Sequence, residues 1–351
     1  MKLISHKHSG VRGLKDEKHE FSMLNNVVGN NGEGKTSLLE SIYISLLGTP
    51  FGSLKRAGNE ISRNKQGNFE AVSTLNNGIH KTICLSYKLL NNKKKHEVNG
   101  DPITMREAFM STPVCLIGSD IERVASESPD YRRRLLDRAV FHVEHKHVES
   151  YKTLSKALKQ RNKAIKQDQE EKTIRSWDNI IAREGEAVTK ARKKTLQHIQ
   201  EEMEKSTGAI ATKRIKLIFK KGWRDESLQN YLEKNIKRDI AAKRTMGGPQ
   251  RDDFTVSVDG FESKGYSSRG EEKQSSLAFA FAIPKIIFEK TGASPIILID
   301  ELESGLDRGA VERVIKYIKS LKNQIFITSL EHHIITESFK SKSIHPKQHN
   351  L

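Results

Sequence analysis

The sequence predicts an α/β fold: a phosphate-loop head of mixed β-sheet and helices, interrupted by an inserted, mainly helical arm. Three observations carry this. First, Gly29-Asn30-Asn31-Gly32-Glu33-Gly34-Lys35-Thr36 fits the pattern G-x-x-x-x-G-K-[ST], between a short apolar run, Asn26-Val27-Val28, and a helix-like stretch, Ser37 to Tyr43. Second, Pro295-Ile296-Ile297-Leu298-Ile299 reads as an apolar strand ending in the carboxylates Asp300 and Glu301. Third, the chain between them turns basic and helix-periodic, so the two halves of the head are separated by an insertion.

In chain order, residues 1–115 read as the N-terminal lobe of the head. Phe69 to Leu75 and Lys81 to Tyr87 alternate apolar and polar residues, with Asn76-Asn77-Gly78 as the hairpin turn between them. Asn99-Gly100 reads as another turn, and Lys93-Lys94-Lys95 as a solvated hairpin tip. Residues 116–246 form the basic arm. In its first long helix Lys152, Lys156, Lys159, Lys163 and Lys166 follow spacings of 4, 3, 4 and 3, which gathers five ammonium groups in one stripe. Leu154, Leu158 and Ile165 fall on another face. After a polar break at 168–171, a second long helix is expected, with Ile174, Trp177, Ile181, Val188, Ile199 and Met203 as its seam. Two such helices suggest a short antiparallel arm. Ile215, Leu217 and Phe219 suggest a strand, and 226–243 another helix. Met246-Gly247-Gly248-Pro249 breaks the chain. Residues 247–351 are expected to return to the head, starting with a strand and turn over 253–260. The polar tail after Ser341 is expected to fray.

Composition narrows the function. A chain of 351 residues suggests about two domains with a core that needs no staples. The net charge of +17 favours a polyanionic partner, nucleic acid before an anionic membrane, with a solvated basic surface as the plainer reading. The two cysteines, Cys84 and Cys115, offer neither a disulfide framework nor zinc spacing. The first residues lack the apolar core of a signal peptide, and no apolar run is long enough to span a bilayer. The expectation is a cytoplasmic protein with no membrane partner.

The motifs specify chemistry. Residues 29–37, Gly29 to Ser37, would cradle the phosphates of ATP with backbone amides at a helix N-terminus. Lys35 would reach the β- and γ-phosphates, and the Thr36 hydroxyl would ligate Mg²⁺. Asp300 would be the Mg²⁺-associated carboxylate, and Glu301 would orient and polarise the attacking water. Ser268 and Gly270, in Ser267-Ser268-Arg269-Gly270-Glu271-Glu272-Lys273, precede an apolar helix and make a second anion site, suited to the γ-phosphate of a partner subunit's ATP. Asp307 follows in Ser304-Gly305-Leu306-Asp307. His332, after the strand 324–328, is a candidate γ-phosphate sensor or a surface histidine.

This order of motifs is that of an ATP-binding-cassette (ABC) head. Further stretches resemble the RecF family, from the SMC-like branch of these ATPases. Ser128-Pro129-Asp130-Tyr131-Arg132-Arg133-Arg134-Leu135-Leu136-Asp137 is similar to the family's S-P-x-x-R-R-x-x-L-D, and Leu158-Lys159-Gln160-Arg161-Asn162 to its L-K-Q-R-N. Gly248-Pro249-Gln250-Arg251-Asp252-Asp253 resembles G-P-H-R-D-D. The resemblance implies a weak, DNA-dependent ATPase that forms an ATP-dependent homodimer. It also implies binding to double-stranded DNA and single-strand/duplex junctions, and work with RecR and RecO in loading recombinase at gaps. Arg132 and Arg133 join the lysine stripe as candidate DNA contacts. Three features depart from the pattern. Glu271 and Glu272 replace signature glutamines, no Q-loop equivalent is evident around 114–120, and Pro284 is expected to kink the signature helix.

The motifs alone leave two other readings open. One is the nucleotide-binding subunit of a membrane transporter, against which the long basic insertion speaks. The other is an ATP-gated DNA clamp with negligible hydrolysis, which multiple-turnover phosphate release would separate.

Overall fold

The computed structural model describes residues 1–51, 61–63, 68–76, 82–91, 93–118, 124–331, 334–339 and 343–348. The chain divides into two compact units. The first holds Met1–Glu122, Gly208–Ala211 and Arg269–Leu351; the second holds Arg123–Thr207 and Thr212–Ser268.

The first unit contains two sheets. The mixture of strand directions expected for the head lies between these sheets, not within one. One sheet runs β14 (Ser343–Ile344), β3 (Leu24–Val28), β13 (Ile325–Ser329), β12 (Ile296–Ile299), β8 (Val114–Ile117), and every pairing is parallel. β8, β12 and β13 are buried at every residue. That explains their unbroken apolar runs, since a parallel sheet is covered on both faces. The other sheet is antiparallel, in the order β2 (Glu17–Glu20), β1 (Lys2–Ser9), β4 (Phe69–Asn76), β5 (Thr82–Leu90), β6 (Lys93–Val98), β7 (Asp101–Pro102). β4 and β5 pair as expected; the turn residues 77–81 lie outside the described residues. Asn99 and Gly100 both take positive φ at the β6–β7 turn, as a two-residue hairpin of this type requires.

Helix α1 (Lys35–Leu47) packs against both sheets. It is buried from Ser37 to Leu47, which is why its sequence shows little amphipathic contrast. Gln324 ties the sheets together: its Oε1 accepts the Leu3 N–H at 2.6 Å and its Nε2 donates to Leu3 O at 2.7 Å. Helices α2 (Met105–Ser111), α8 (Arg269–Thr291), α9 (Arg308–Ser320) and α10 (Ile334–Ser338) complete the unit. α8 continues through Pro284, which lies inside it, without a break. The tail expected to fray does not do so over 343–348: β14 pairs with β3, and Ile344 is buried because it completes that sheet's edge.

The second unit is helical with a small sheet. Its helices are α3 (Pro129–Val143), α4 (His145–Lys166), α5 (Glu171–Arg175), α6 (Asp178–Lys205) and α7 (Leu228–Ala241). α4 packs along α6, burying Leu154, Ala157, Ile181, Ala182 and Val188 with Leu228 and Leu232 of α7. The expected second long helix is broken at Ser176–Trp177 into α5 and α6. There the Asp178 carboxylate, in the first turn of α6, accepts Arg161 Nε at 2.7 Å. The sheet runs β11 (Phe261–Glu262), β10 (Asp253–Val258), β9 (Ile215–Lys220). β10 pairs with β9 along its whole length, so this strand belongs to the arm's unit. The sequence had placed it after the return to the head at 247.

The family-like stretches form buried ion networks here. Arg161 is fully buried, and its Nη1 donates to Asp239 Oδ2 at 2.7 Å and to Thr245 Oγ1 at 2.8 Å. Arg192 bridges Asp137, at 2.7 and 2.8 Å, and Asp252, at 3.0 Å. Burial pushes the carboxyls of Asp178 and Asp252 up, against the pull of Arg161 on the first and of Thr189 and Arg192 on the second. The intervening lysines of α4 point outward, while Arg161 ties three segments of the arm together.

Candidate nucleotide site and basic arm face

The phosphate loop leaves β3 at Val28 and enters α1 at Lys35. Gly32 and Gly34 both take φ of +86°, a conformation that disfavours side chains. A Cβ on Gly34 would also lie 2.4 Å from Leu14 Cδ2, so bulk is excluded twice over. Lys35 Nζ donates to Gly29 O at 2.6 Å and to Asn30 O at 2.9 Å, holding its ammonium inside the loop. Glu33 folds back across the loop: its carboxylate accepts Asn30 N–H at 2.7 Å and Asn30 Nδ2 at 3.1 Å. These hydrogen bonds, that from the Asn30 backbone first, hold its carboxyl below the usual range.

The carboxylates arrive from β12. Thr36 Oγ1 donates to Asp300 Oδ2 at 2.9 Å, and Thr328 Oγ1 donates to Asp300 Oδ1 at 2.9 Å. Asp300 is buried, which pushes its carboxyl above the usual range; the Thr328 and Thr36 hydroxyls and the Lys35 charge oppose the rise. Glu301 is exposed, takes φ of +53°, and donates its N–H to Thr328 Oγ1 at 2.9 Å. The positive φ turns the chain sharply after the strand, so one acid points into the fold while the next faces solvent. The Thr36 hydroxyl and Asp300 carboxylate are hard oxygen donors in contact. They suit Mg²⁺, which takes one or two protein oxygens and completes its shell with phosphate and water.

Three residues missed in the sequence belong to this site. Thr328 anchors both acids, and the polar Thr328-Ser329 pair ending an apolar strand was its signal. Arg12 Nη2 meets the buried Glu40 of α1 at 2.7 Å, which brings a guanidinium to the helix that the loop opens. A glutamate inside the apolar stretch was the sign that such a cation was needed. Gln348 donates to Gly32 O from the tail.

The second group lies at α8. Ser268 is exposed and immediately precedes the helix. A Cβ on Gly270 would lie 3.6 Å from Gly305 O, so the signature and the 304–307 loop are neighbours. Glu272 and Lys273 are buried in the first turn, with Glu271 half-buried; acids there favour the helix dipole. Asp307 caps α9, accepting Ala310 N–H at 2.8 Å. His332 lies outside the described residues.

On the arm, Lys152, Lys156, Lys159, Lys163 and Lys166 are all exposed on α4. Among the described residues none of them has an ion pair. Arg132 and Arg133 are placed differently. Arg132 is 5% exposed and grips Asp253 with both Nε, at 2.8 Å, and Nη2, at 2.7 Å. Arg133 donates to Asp252 O at 2.7 Å and pairs with Asp130. Both guanidiniums are committed to the fold, so of the candidate DNA contacts only the lysines of α4 are exposed cations.

The parallel sheet, the phosphate loop and the acids at the end of β12 define a head of the SMC-like, ABC class of ATPases. Over residues 7–351 the chain matches the family described as RecF/RecN/SMC N terminal domain. It belongs to that family, and within it to RecF. It is 30% identical over 314 residues to the DNA replication and repair protein RecF of Coxiella burnetii (strain RSA 493 / Nine Mile phase I), covering 88% of this chain and 87% of that protein. The RecF of Shewanella woodyi is 26% identical over 336 residues, covering 94% and 92%. The fold is similar to that of a recombination mediator protein RecF solved with ATP, with a TM-score of 0.84 at 24% identity over 95% of this chain and 94% of that one. It also resembles an Smc head domain from Pyrococcus furiosus, with a TM-score of 0.61 at 18% identity over 99% and 94%.

Proposed function

We propose that this chain is an ATP-dependent DNA-binding protein of recombinational repair and replication. It would bind duplex or gapped DNA as an ATP-induced dimer, with weak DNA-dependent hydrolysis. The observation that carries this reading is the contact of Thr36 with Asp300, which brings the two halves of the site together across the insertion. The RecF family and the five exposed lysines of α4 support DNA as the partner. Residues 29–37 would hold the phosphates of ATP, with Lys35 on the β- and γ-oxygens. Thr36 and Asp300 would hold Mg²⁺, which when bound neutralises charge developing on the phosphates. Glu301, exposed beside them, would orient the attacking water. Ser268, Gly270 and Asp307 would serve the partner subunit's nucleotide. Recombination mediators of the RecR and RecO type, and a cytoplasmic location, follow from the same reading. Phosphate release from ATP, with and without duplex DNA, tests it. Slow turnover raised by DNA and strongly reduced in Glu301→Gln is expected. Turnover unchanged in that variant would remove Glu301 from its role.

A further inference from the structure

Phe261 and Tyr266 are among the most exposed large apolar side chains of the described residues, at 56% and 57%. Their rings stack on one another, with centroids 4.7 Å apart and 22° between planes. The backbone under them is fixed. Asp259 and Gly260 both take positive φ at the β10–β11 turn, and Asp259 N–H donates to Arg214 O at 2.9 Å while its Oδ1 accepts Arg214 N–H at 3.0 Å. The buried Ser263 donates its N–H to Val256 O at 2.8 Å, and its carbonyl accepts Tyr266 N–H at 3.1 Å and Ser267 N–H at 2.9 Å. The ring pair is therefore a preorganised platform.

Lys264 is exposed within the segment that carries the rings, and Asp259 at its turn lies 3.9 Å from Lys213. Arg214 and Lys216 are exposed as well, but alternation along β9 sets them on the face opposite Phe261. Glu262 is the exposed acid of β11, and it shares a register row with Lys216 through Ser257. The remaining exposed large apolar residue of this sheet, Ile218, is paired with Thr255 on the face carrying Lys216 and Lys220, whereas Phe261 is paired with Val258. An apolar protein partner would want a broad contiguous patch. A fixed, exposed ring stack with a lysine in the same segment can be extended by a nucleobase whose phosphate meets that lysine.

We propose that Phe261 and Tyr266 form a stacking platform for an unpaired base of single-stranded DNA, with Lys264 beside its phosphate. The platform is separate from the lysine stripe of α4 and reads the single-stranded part of a gap. This rests on the reading of DNA as the partner.

The test uses full-length protein and two probes: a blunt duplex, and the same duplex with a short single-stranded overhang containing 2-aminopurine. Phe261→Ala/Tyr266→Ala should lose at least about fivefold in affinity for the overhang probe, the lower end of base–aromatic stacking. Affinity for the blunt duplex should stay the same, as should the salt dependence of both. Wild type should quench 2-aminopurine and the variant should not. Phe261→Leu/Tyr266→Leu, which keeps apolar bulk, should behave like the alanine variant. Equal affinities for the overhang probe, equal losses on both probes, or full affinity in the leucine variant would overturn the platform. So would loss of the ATP-dependent dimer by sedimentation with unchanged DNA affinity, because the rings would then contact a second copy. Wild type binding neither probe would instead overturn the functional reading beneath it.

Discussion

Acid should unfold the head through a stack of histidines, and the size of the effect follows from their burial. His6, His8 and His19 stack in β1 and β2, with centroids 5.7 and 5.5 Å apart. His6 is fully buried between Ser73 Oγ, at 3.0 Å from Nδ1, and Ser41 Oγ of α1, at 2.8 Å from Nε2. Burial, with the neighbouring His19, lowers the His8 pKa from 6.5 to about 4; a hydrogen bond to the Lys15 backbone, then Glu17 and Asp16, pull the other way. His6 is lowered too, by burial first and then by His8 and His19. Between pH 6.5 and about 4 the unfolded chain therefore binds protons that the native fold refuses. Stability is complete above pH 6.5 and falls as pH drops through that window. At about 1.36 kcal/mol per unit, His8 alone accounts for roughly 3 kcal/mol. Asp300, Asp178 and Asp252, raised by burial, act in the opposite sense, and Asp16, lowered to about 2, acts below pH 3.8. His8→Phe keeps a stackable ring and removes one titration. Urea unfolding followed by circular dichroism at several pH values should show wild type losing about 3 kcal/mol more than His8→Phe between pH 6.5 and 4. Parallel curves for the two proteins would refute the burial argument.

Other consequences are equally direct. Replacing Lys156, Lys159 and Lys163 by Gln should lower the salt slope of duplex binding by roughly 2–3 units, about 0.9 per phosphate contact, with ATP binding intact; identical slopes would make the stripe a solvated face. Arg161→Ala should destabilise the arm by about 3–5 kcal/mol in chemical denaturation, because it strands Asp178 and Asp239 in the interior. Mg²⁺ affinity, by titration calorimetry with ATP, should weaken as pH falls and begin to do so above the ordinary carboxylate range, since the raised Asp300 must lose its proton to bind; a flat response would remove Asp300 from the metal site. Ser268→Arg should block the ATP-dependent dimer while sparing ATP binding, and a normal dimer by sedimentation would sink the two-site arrangement.

Much of the site was legible because its chemistry fixes residue types at short spacing. Gly32 and Gly34 are needed at positive φ, and Asp300 and Glu301 at a strand end. The lysines of α4 were legible because helical period and exposure go together. Long-range partners were less readable. Arg132 looked like a surface cation because its partner, Asp253, is remote in sequence and on a strand assigned to the other unit. β10 was misplaced for the same reason, since strand pairing with β9 is non-local. The break between α5 and α6 sits beside the contact of Asp178 with Arg161, a long-range pairing that no local propensity encodes. Thr328 and Arg12 carried weak signals, a polar strand end and a buried glutamate in search of a cation.

On the proposed function, a nucleotide held at Lys35, Thr36 and Asp300 governs attachment to DNA. Sedimentation of wild type and Lys35→Ala on gapped duplex, with and without ATP, measures it most directly. Lys35 is a half-buried residue at the N-terminus of α1, so the variant should stay folded while losing tight ATP binding. An ATP-dependent, DNA-bound dimer is expected in wild type and should be absent in Lys35→Ala. A dimer on DNA that forms equally in both proteins, or without ATP, would contradict it.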